Sequence, residues 1–241
     1  MIRTGGRAAS LAVAAGVTRV VYEGLRRVRD PRWERTNRSG RSVGLYAGPA
    51  AVLGAAAGAG SGAGAFAVLA AGACGAYDDV RGDERRGFRA HLAALRDGEV
   101  TSGAVKLFGI GAAGLVAGAL LKERPLDKVL AGVVIAGTAH LVNLVDVAPG
   151  RAGLAVLGIA APGLLRGAQA AAPMGAVAAV LADDLGERTM LGDTGAHALG
   201  AAVGVAVATG NGRLGLVAHA AGLVAAAVYG ERVSELARSP M

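Results

Sequence analysis

Three short segments carry side chains able to hold a cation beside a phosphate. The run Gly75-Ala76-Tyr77-Asp78-Asp79 ends an apolar stretch in two adjacent carboxylates. Such a pair suits Mg²⁺, which prefers oxygen ligands, keeps several waters and commonly bridges one or two carboxylates to substrate phosphates. A solvated helix end would carry the same pair. His140, Asn143 and Asp146 recur at three-residue spacing and fall along one helix face. Lipid does not tolerate a polar stripe of this kind, so inside a membrane it marks a functional site by default. The amide and carboxylate can read the donor and acceptor edge of a base, and an interhelical hydrogen bond would use them equally well. Asp193 stands between Gly192 and Thr194-Gly195 where a helix begins. There it either caps the helix or binds a metal, with the glycines letting a phosphate come close.

Basic groups lie between these acids. Arg81, Arg85, Arg86, Arg89, His91, Arg96 and Lys106 are interleaved with Phe88, Leu92 and Leu95 at helical spacing, the pattern of an amphipathic helix lying in a membrane interface. Arg81 and Arg85 are the candidates for holding phosphates, and anionic lipid headgroups are the competing partners for the same charges.

The elements that must position these residues follow from composition. Of 241 residues 53% are hydrophobic and 18% charged, against about 25% charged in a soluble domain, and the charges are clustered between long runs of Ala, Gly, Val and Leu. Nine candidate spans result, at 8–22, 44–57, 62–77, 104–121, 126–145, 152–165, 170–181, 194–208 and 214–229. The expected fold is therefore an all-α polytopic transmembrane bundle forming one domain over 1–241, its first span a membrane helix rather than a cleaved signal. The 40 glycines fit membrane helices that pack through small residues, with Gly54, Gly58, Gly62, Gly200 and Gly204 as candidate contact points. The single cysteine, Cys74, excludes an intrachain disulfide and a cysteine metal cluster.

Alternation across the spans assigns every connection to a side. Of 25 basic residues, 17 fall with the connections at 23–43, 78–103, 146–151 and 182–193 and the C-terminal tail, Lys106 included. By the positive-inside rule that side is cytoplasmic, which places the N-terminus outside and the C-terminus inside. Of 18 acidic residues only Glu123 and Asp127 lie on the other side. Acidic residues barely affect topology, so this bias points to a metal or catalytic site at the cytoplasmic face.

With these residues assembled, the chain resembles the polyprenyl-phosphate N-acetylhexosamine-1-phosphate transferase superfamily, which includes the phospho-MurNAc-pentapeptide transferase and its GlcNAc-1-phosphate relatives. The resemblance runs from about Trp33 to Ser234 through Arg35-Thr36-Asn37 to Gly48-Pro49, Tyr77-Asp78-Asp79, Asn143-Leu144-Val145-Asp146 and Leu191-Gly192-Asp193-Thr194-Gly195. It implies a multi-pass protein of the inner (plasma) membrane, active at its cytoplasmic face in cell-envelope synthesis. A sugar-1-phosphate would pass from a UDP-sugar to a polyprenyl phosphate with Mg²⁺ as cofactor and UMP released. It implies Asp193 and Asp79 as metal ligands, Asp78 and Asp79 as catalytic groups near the phosphates, one of them the base for the lipid phosphate, and Lys106 facing the phosphates. Asn143 and Asp146 would line the uridine pocket with His140, which stands where the family often has asparagine. Gly82 replaces a family lysine, for which Arg81 or Arg85 would stand in. The family's last, histidine-rich cytoplasmic loop and tenth helix have no counterpart here, which leaves sugar choice unassigned. Expected partners are the lipid, the UDP-sugar and the membrane, with a homodimer admitted and nucleic acid not expected. The alternative expectation is a noncatalytic relative that binds polyprenyl phosphate or scaffolds envelope-building proteins. A channel or transporter would instead place charge near the bilayer midplane.

Overall fold

A computed structural model describes residues 4–28, 30–82 and 88–239. Its helices are α1 (Thr4–Leu25), α2 (Ala47–Ala57), α3 (Gly62–Arg81), α4 (Phe88–Arg96), α5 (Ser102–Leu121), α6 (Pro125–Val145), α7 (Arg151–Ala160), α8 (Ala171–Leu185), α9 (Gly192–Gly210), α10 (Arg213–Val228) and α11 (Gly230–Arg238). Local chemistry sets several of their starts. The Ser61 hydroxyl accepts the Gly64 N–H and Thr101 accepts that of Ala104, capping α3 and α5. Pro125 opens α6, where its missing N–H costs nothing.

Each apolar run coincides with one of these helices, α7 continuing through a 3₁₀ turn at Ala161–Leu165. Three segments, Gly6–Leu25, Ser102–Leu121 and Pro125–Val145, are long and apolar enough to cross a membrane, and a fourth arises if α10 and α11, bent by 81°, are taken together. The basic stretch is divided: Arg81 ends α3, α4 covers Phe88–Arg96 and Lys106 belongs to α5, while residues 83–87, among them the candidate Arg85, lie outside the described residues.

Among the described residues a hairpin, with a bridge from Gly44 to Thr189, interrupts the helices. Strands β1 (Glu34–Thr36) and β2 (Ser42–Gly44) pair antiparallel, Arg35 opposite Val43. Their sequences have too little apolar alternation to announce a strand. What closes the hairpin is polar: Asn37 Oδ1 accepts the N–H groups of Ser39 and Arg41, an Asx-type turn.

Helix α9 is central, packed against α2, α3 and α6. Glycine makes this possible. A Cβ at Gly200 would lie 2.6 Å from the Ala139 Cα, and one at Gly204 2.7 Å from the Ile135 Cα, so the α6 and α9 backbones touch. Gly54 of α2 and Gly58 just past its end approach α1 in the same manner, whereas Gly62 meets nothing within 4 Å. The interior is accordingly built mostly of alanine, glycine and valine around a few larger side chains such as Ile135, Leu199 and Leu216, while Leu120, Leu214 and Val228 are 66%, 87% and 72% exposed. Small residues inside and large aliphatics outside is the distribution that packing in lipid produces, and in water such a surface would drive association.

Contacts sort the connections into two ends. At one end Asn37 and Arg41 of the hairpin reach Glu187 at 2.7 and 2.8 Å, Arg38 reaches the Arg238 carbonyl, and Arg151 donates to the Ser239 carbonyl. At the other, Ser10 bonds the Gly58 carbonyl, Lys122 that of Asn211, and Arg213 pairs with Asp127 at 2.7 Å.

Candidate functional site: an acidic cluster joined by Lys106

Three helices bring the site together at the first of these ends. Asp78 and Asp79 lie in the last turn of α3, Lys106 in the second turn of α5, and Asp193 in the first turn of α9. The Lys106 ammonium donates to Asp78 Oδ2 at 2.5 Å and also to Asp193 Oδ2. One cation thus bridges two carboxylates whose helices are far apart in sequence.

Asp79 has a different task. Its Oδ1 accepts the Asp193 N–H at 3.1 Å, and its Oδ2 accepts both the N–H and the hydroxyl of Thr194, at 2.9 and 2.6 Å. A carboxylate from α3 therefore caps α9, supplying the acceptors that the first turn of any helix lacks and placing negative charge at the positive end of the helix dipole. Asp193 is relieved of capping, and its carboxylate is turned to Lys106. The fit is tight: Gly192 adopts φ 60°, a conformation glycine holds without penalty, and a Cβ there would lie 2.9 Å from Asp79 Oδ2. At Gly75, one turn before Asp79, a Cβ would strike the Asp193 backbone.

Further groups close around this core. Arg35 of β1 donates to the main-chain oxygen of Asp79. His197, one turn beyond Asp193, places Nδ1 2.8 Å from the Asp193 carbonyl; Nδ1 must then carry the proton. Asp184, 4% exposed, accepts the Gly150 N–H at 3.2 Å and fixes the turn that follows Asp146.

Asp146 sits just past the end of α6, its N–H bonded to the Asn143 carbonyl. Burial pushes its carboxyl well above the usual carboxylate range, and the charges of Asp184, Asp193 and Asp79 push it in the same direction. That repulsion places Asp146 in the field of the cluster. His140 and Asn143 are on the same last turns of α6, His140 within the field of Lys106. Arg81 is exposed at the end of α3, and Arg85 is outside the described residues. Thr194, His197, Asp184 and Arg35 stand in or beside the sequence motifs, but residue type and spacing assign them no role; Thr194 acts as a donor and Asp184 as a turn acceptor.

The donor set suits a hard cation completed by a substrate. Among the described residues no group of three or more His, Cys, Asp or Glu is arranged to hold a metal, so a closed protein cage is absent there. Asp78 and Asp193, which converge on one ammonium, offer two carboxylates, and Mg²⁺ is commonly held by one or two together with substrate phosphates and water. Comparison of the chain with protein-family models and with curated proteins finds no match.

Proposed function

We propose that this chain is an integral-membrane transferase that passes a sugar-1-phosphate from a UDP-sugar to a polyprenyl phosphate at the cytoplasmic face, with Mg²⁺, releasing UMP. The observation that carries the reading is the convergence of Asp78, Lys106 and Asp193 from three helices, with Asp79 holding Asp193 in place. The proposed membrane arrangement has nine spans, the N-terminus outside and the C-terminus inside. It rests on the matching of each apolar run by a helix and on the gathering of the basic-rich connections at the end that holds the acids.

In this reading Asp78 and Asp193 would hold the cation, in place of the expected Asp79, whose oxygens cap α9, and Mg²⁺ would neutralise charge on the pyrophosphate. Lys106, which holds those carboxylates without the cation and would give them up to it, would then turn its three donors toward a phosphate oxygen. The ionised lipid phosphate attacks the β-phosphorus through one of its oxygens while the bond to the UMP oxygen breaks and UMP leaves as an anion. Asn143 and Asp146, with His140 behind them, line the place for the base. Arg35 and Arg81 add positive charge at the mouth. Catalysis in such a site is positioning plus electrostatic stabilisation.

The test is UMP release by the purified chain from a panel of UDP-sugars with undecaprenyl or decaprenyl phosphate and Mg²⁺. Lipid-dependent UMP with any donor supports the transfer reading. Retained binding of the polyprenyl phosphate with no UMP from any donor would replace it by a noncatalytic lipid-binding role.

A further inference from the structure

A polar cavity is lined by residues other than those of the acidic cluster. It measures about 310 Å³ and is lined by Tyr22 of α1 and Arg26 just past its end, Ser42 to Gly44 of β2, Tyr46, and Arg188 and Thr189 of the segment between α8 and α9. That volume is at the lower end of small-ligand pockets, about 300–1,000 Å³. None of the helices carrying Asp78, Lys106 or Asp193 contributes to it.

Charge around this cavity is unbalanced. Arg19, Arg26 and Arg188 share two carboxylates: Asp183 takes Arg19 at 2.7 Å and Arg188 at 2.8 Å, and Glu23 takes Arg19 at 2.5 Å. Arg26 is left with Glu23 at 3.5 Å, the outer limit of a hydrogen bond. Arg188 uses Nε on Asp183 and Nη2 on the Ala182 carbonyl, so its Nη1 edge remains among the described contacts. The rim therefore has a surplus of guanidinium donors, the group best matched to phosphate oxygens. The nearby aromatic ring does not suit a base: Tyr22 is 2% exposed and already lies under the guanidiniums of Arg19 and Arg26, at 5.5 and 5.7 Å.

The position adds a second argument. Tyr22 and Arg26 stand at the C-terminal end of the candidate span Gly6–Leu25, the level at which tyrosine and arginine meet headgroups. The cavity is also wired to the acidic cluster through the chain: Thr189 Oγ1 donates to the Gly44 carbonyl at 2.8 Å and Met190 N–H to the same oxygen at 3.1 Å, a few residues before Asp193.

We infer that this cavity binds a phosphate group, presented by an anionic lipid headgroup or by a small soluble phosphate, between Arg26 and Arg188. The experiment follows thermal unfolding of the full chain in neutral detergent during titration with short-chain phosphatidylglycerol, short-chain phosphatidylcholine or inorganic phosphate. The expected result is saturable stabilisation by phosphatidylglycerol or phosphate exceeding that by phosphatidylcholine. The half-saturating concentration rises at least about tenfold in Arg26→Gln, equivalent to about 1.4 kcal/mol. It recovers in Arg26→Lys and is unchanged in Asp193→Asn. Stabilisation by phosphatidylglycerol alone identifies the lipid as the source, and stabilisation by both identifies phosphate itself. Equal titrations for the native chain and Arg26→Gln, or loss of the effect in Asp193→Asn, overturn the proposal.

Discussion

The carboxylate of Asp79 accepts the main-chain N–H of Asp193 at 3.1 Å, so one acid of the site holds the helix that carries another. Separated by more than a hundred residues, the two divide the work: Asp79 satisfies the α9 N-terminus and Asp193 keeps its own carboxylate for Lys106. Replacing Asp79 by Ala leaves three donors at that terminus without their acceptor. The cost expected is about 2–3 kcal/mol, from about 0.5–2 for a lost cap plus the desolvation of donors stranded inside. A lowered unfolding temperature in detergent checks this, with Asp79→Asn retaining part of the stability because its amide oxygen still accepts.

Lys106 and a divalent cation compete for the same oxygens. Lys106→Met removes the ammonium while keeping a long side chain, and is expected to tighten Mn²⁺ binding by about tenfold, or about 1.4 kcal/mol, as read by electron paramagnetic resonance. Transfer activity should fall in the same variant, since the group facing the phosphates is gone. Weaker Mn²⁺ binding in Lys106→Met would remove Asp78 and Asp193 as the ligand pair.

Asp146 gives a pH dependence with a definite sign. Its pKa is raised in the folded chain by burial first and by Asp184, Asp193 and Asp79 next, so the folded state holds a proton that the unfolded state releases near an ordinary carboxylate value of about 3.9. Its contribution to stability is full below that value and is lost as pH rises through the folded pKa. Without divalent cation, Asp146→Asn should therefore raise the unfolding temperature more at pH 8 than at pH 5. A larger gain at pH 5 would contradict this.

Gly75 should not tolerate a side chain. A methyl group there collides with the Asp193 backbone, where α3 and α9 meet without intervening side chains. Gly75→Ala is expected to cost about 1–3 kcal/mol, the range for overpacking, and to displace Asp193 from Lys106. Gly62→Ala, with nothing within 4 Å, is the matched control and should leave the unfolding temperature within about a degree or raise it.

Much of the scaffold was readable because the signals are local. A run of Ala, Val, Leu and Gly states its own helical tendency, and each of the nine runs met a helix. The hairpin at 34–44 escaped because Asn37, not an apolar pattern, builds it. Within the site, residue type pointed to Asp78, Asp193 and Lys106, yet the partition of roles depends on contacts between distant segments. In isolation Asp193 reads as a cap before it reads as a ligand, yet the cap of α9 comes from Asp79 of α3. The basic stretch illustrates the same limit from the other side: spacing announced an amphipathic helix, and α4 spans Phe88–Arg96, but no periodicity says which arginine faces a phosphate.

The central claim is best tested by measuring lipid-dependent UMP release for the native chain beside Asp193→Asn, across a panel of UDP-sugars with decaprenyl phosphate and Mg²⁺. The account predicts turnover with at least one donor, abolished by chelation and reduced at least about 100-fold in the variant, the scale on which removing one preorganised electrostatic group acts, while the variant still folds. Absence of UMP with every donor, or equal release by the native chain and Asp193→Asn, would contradict it.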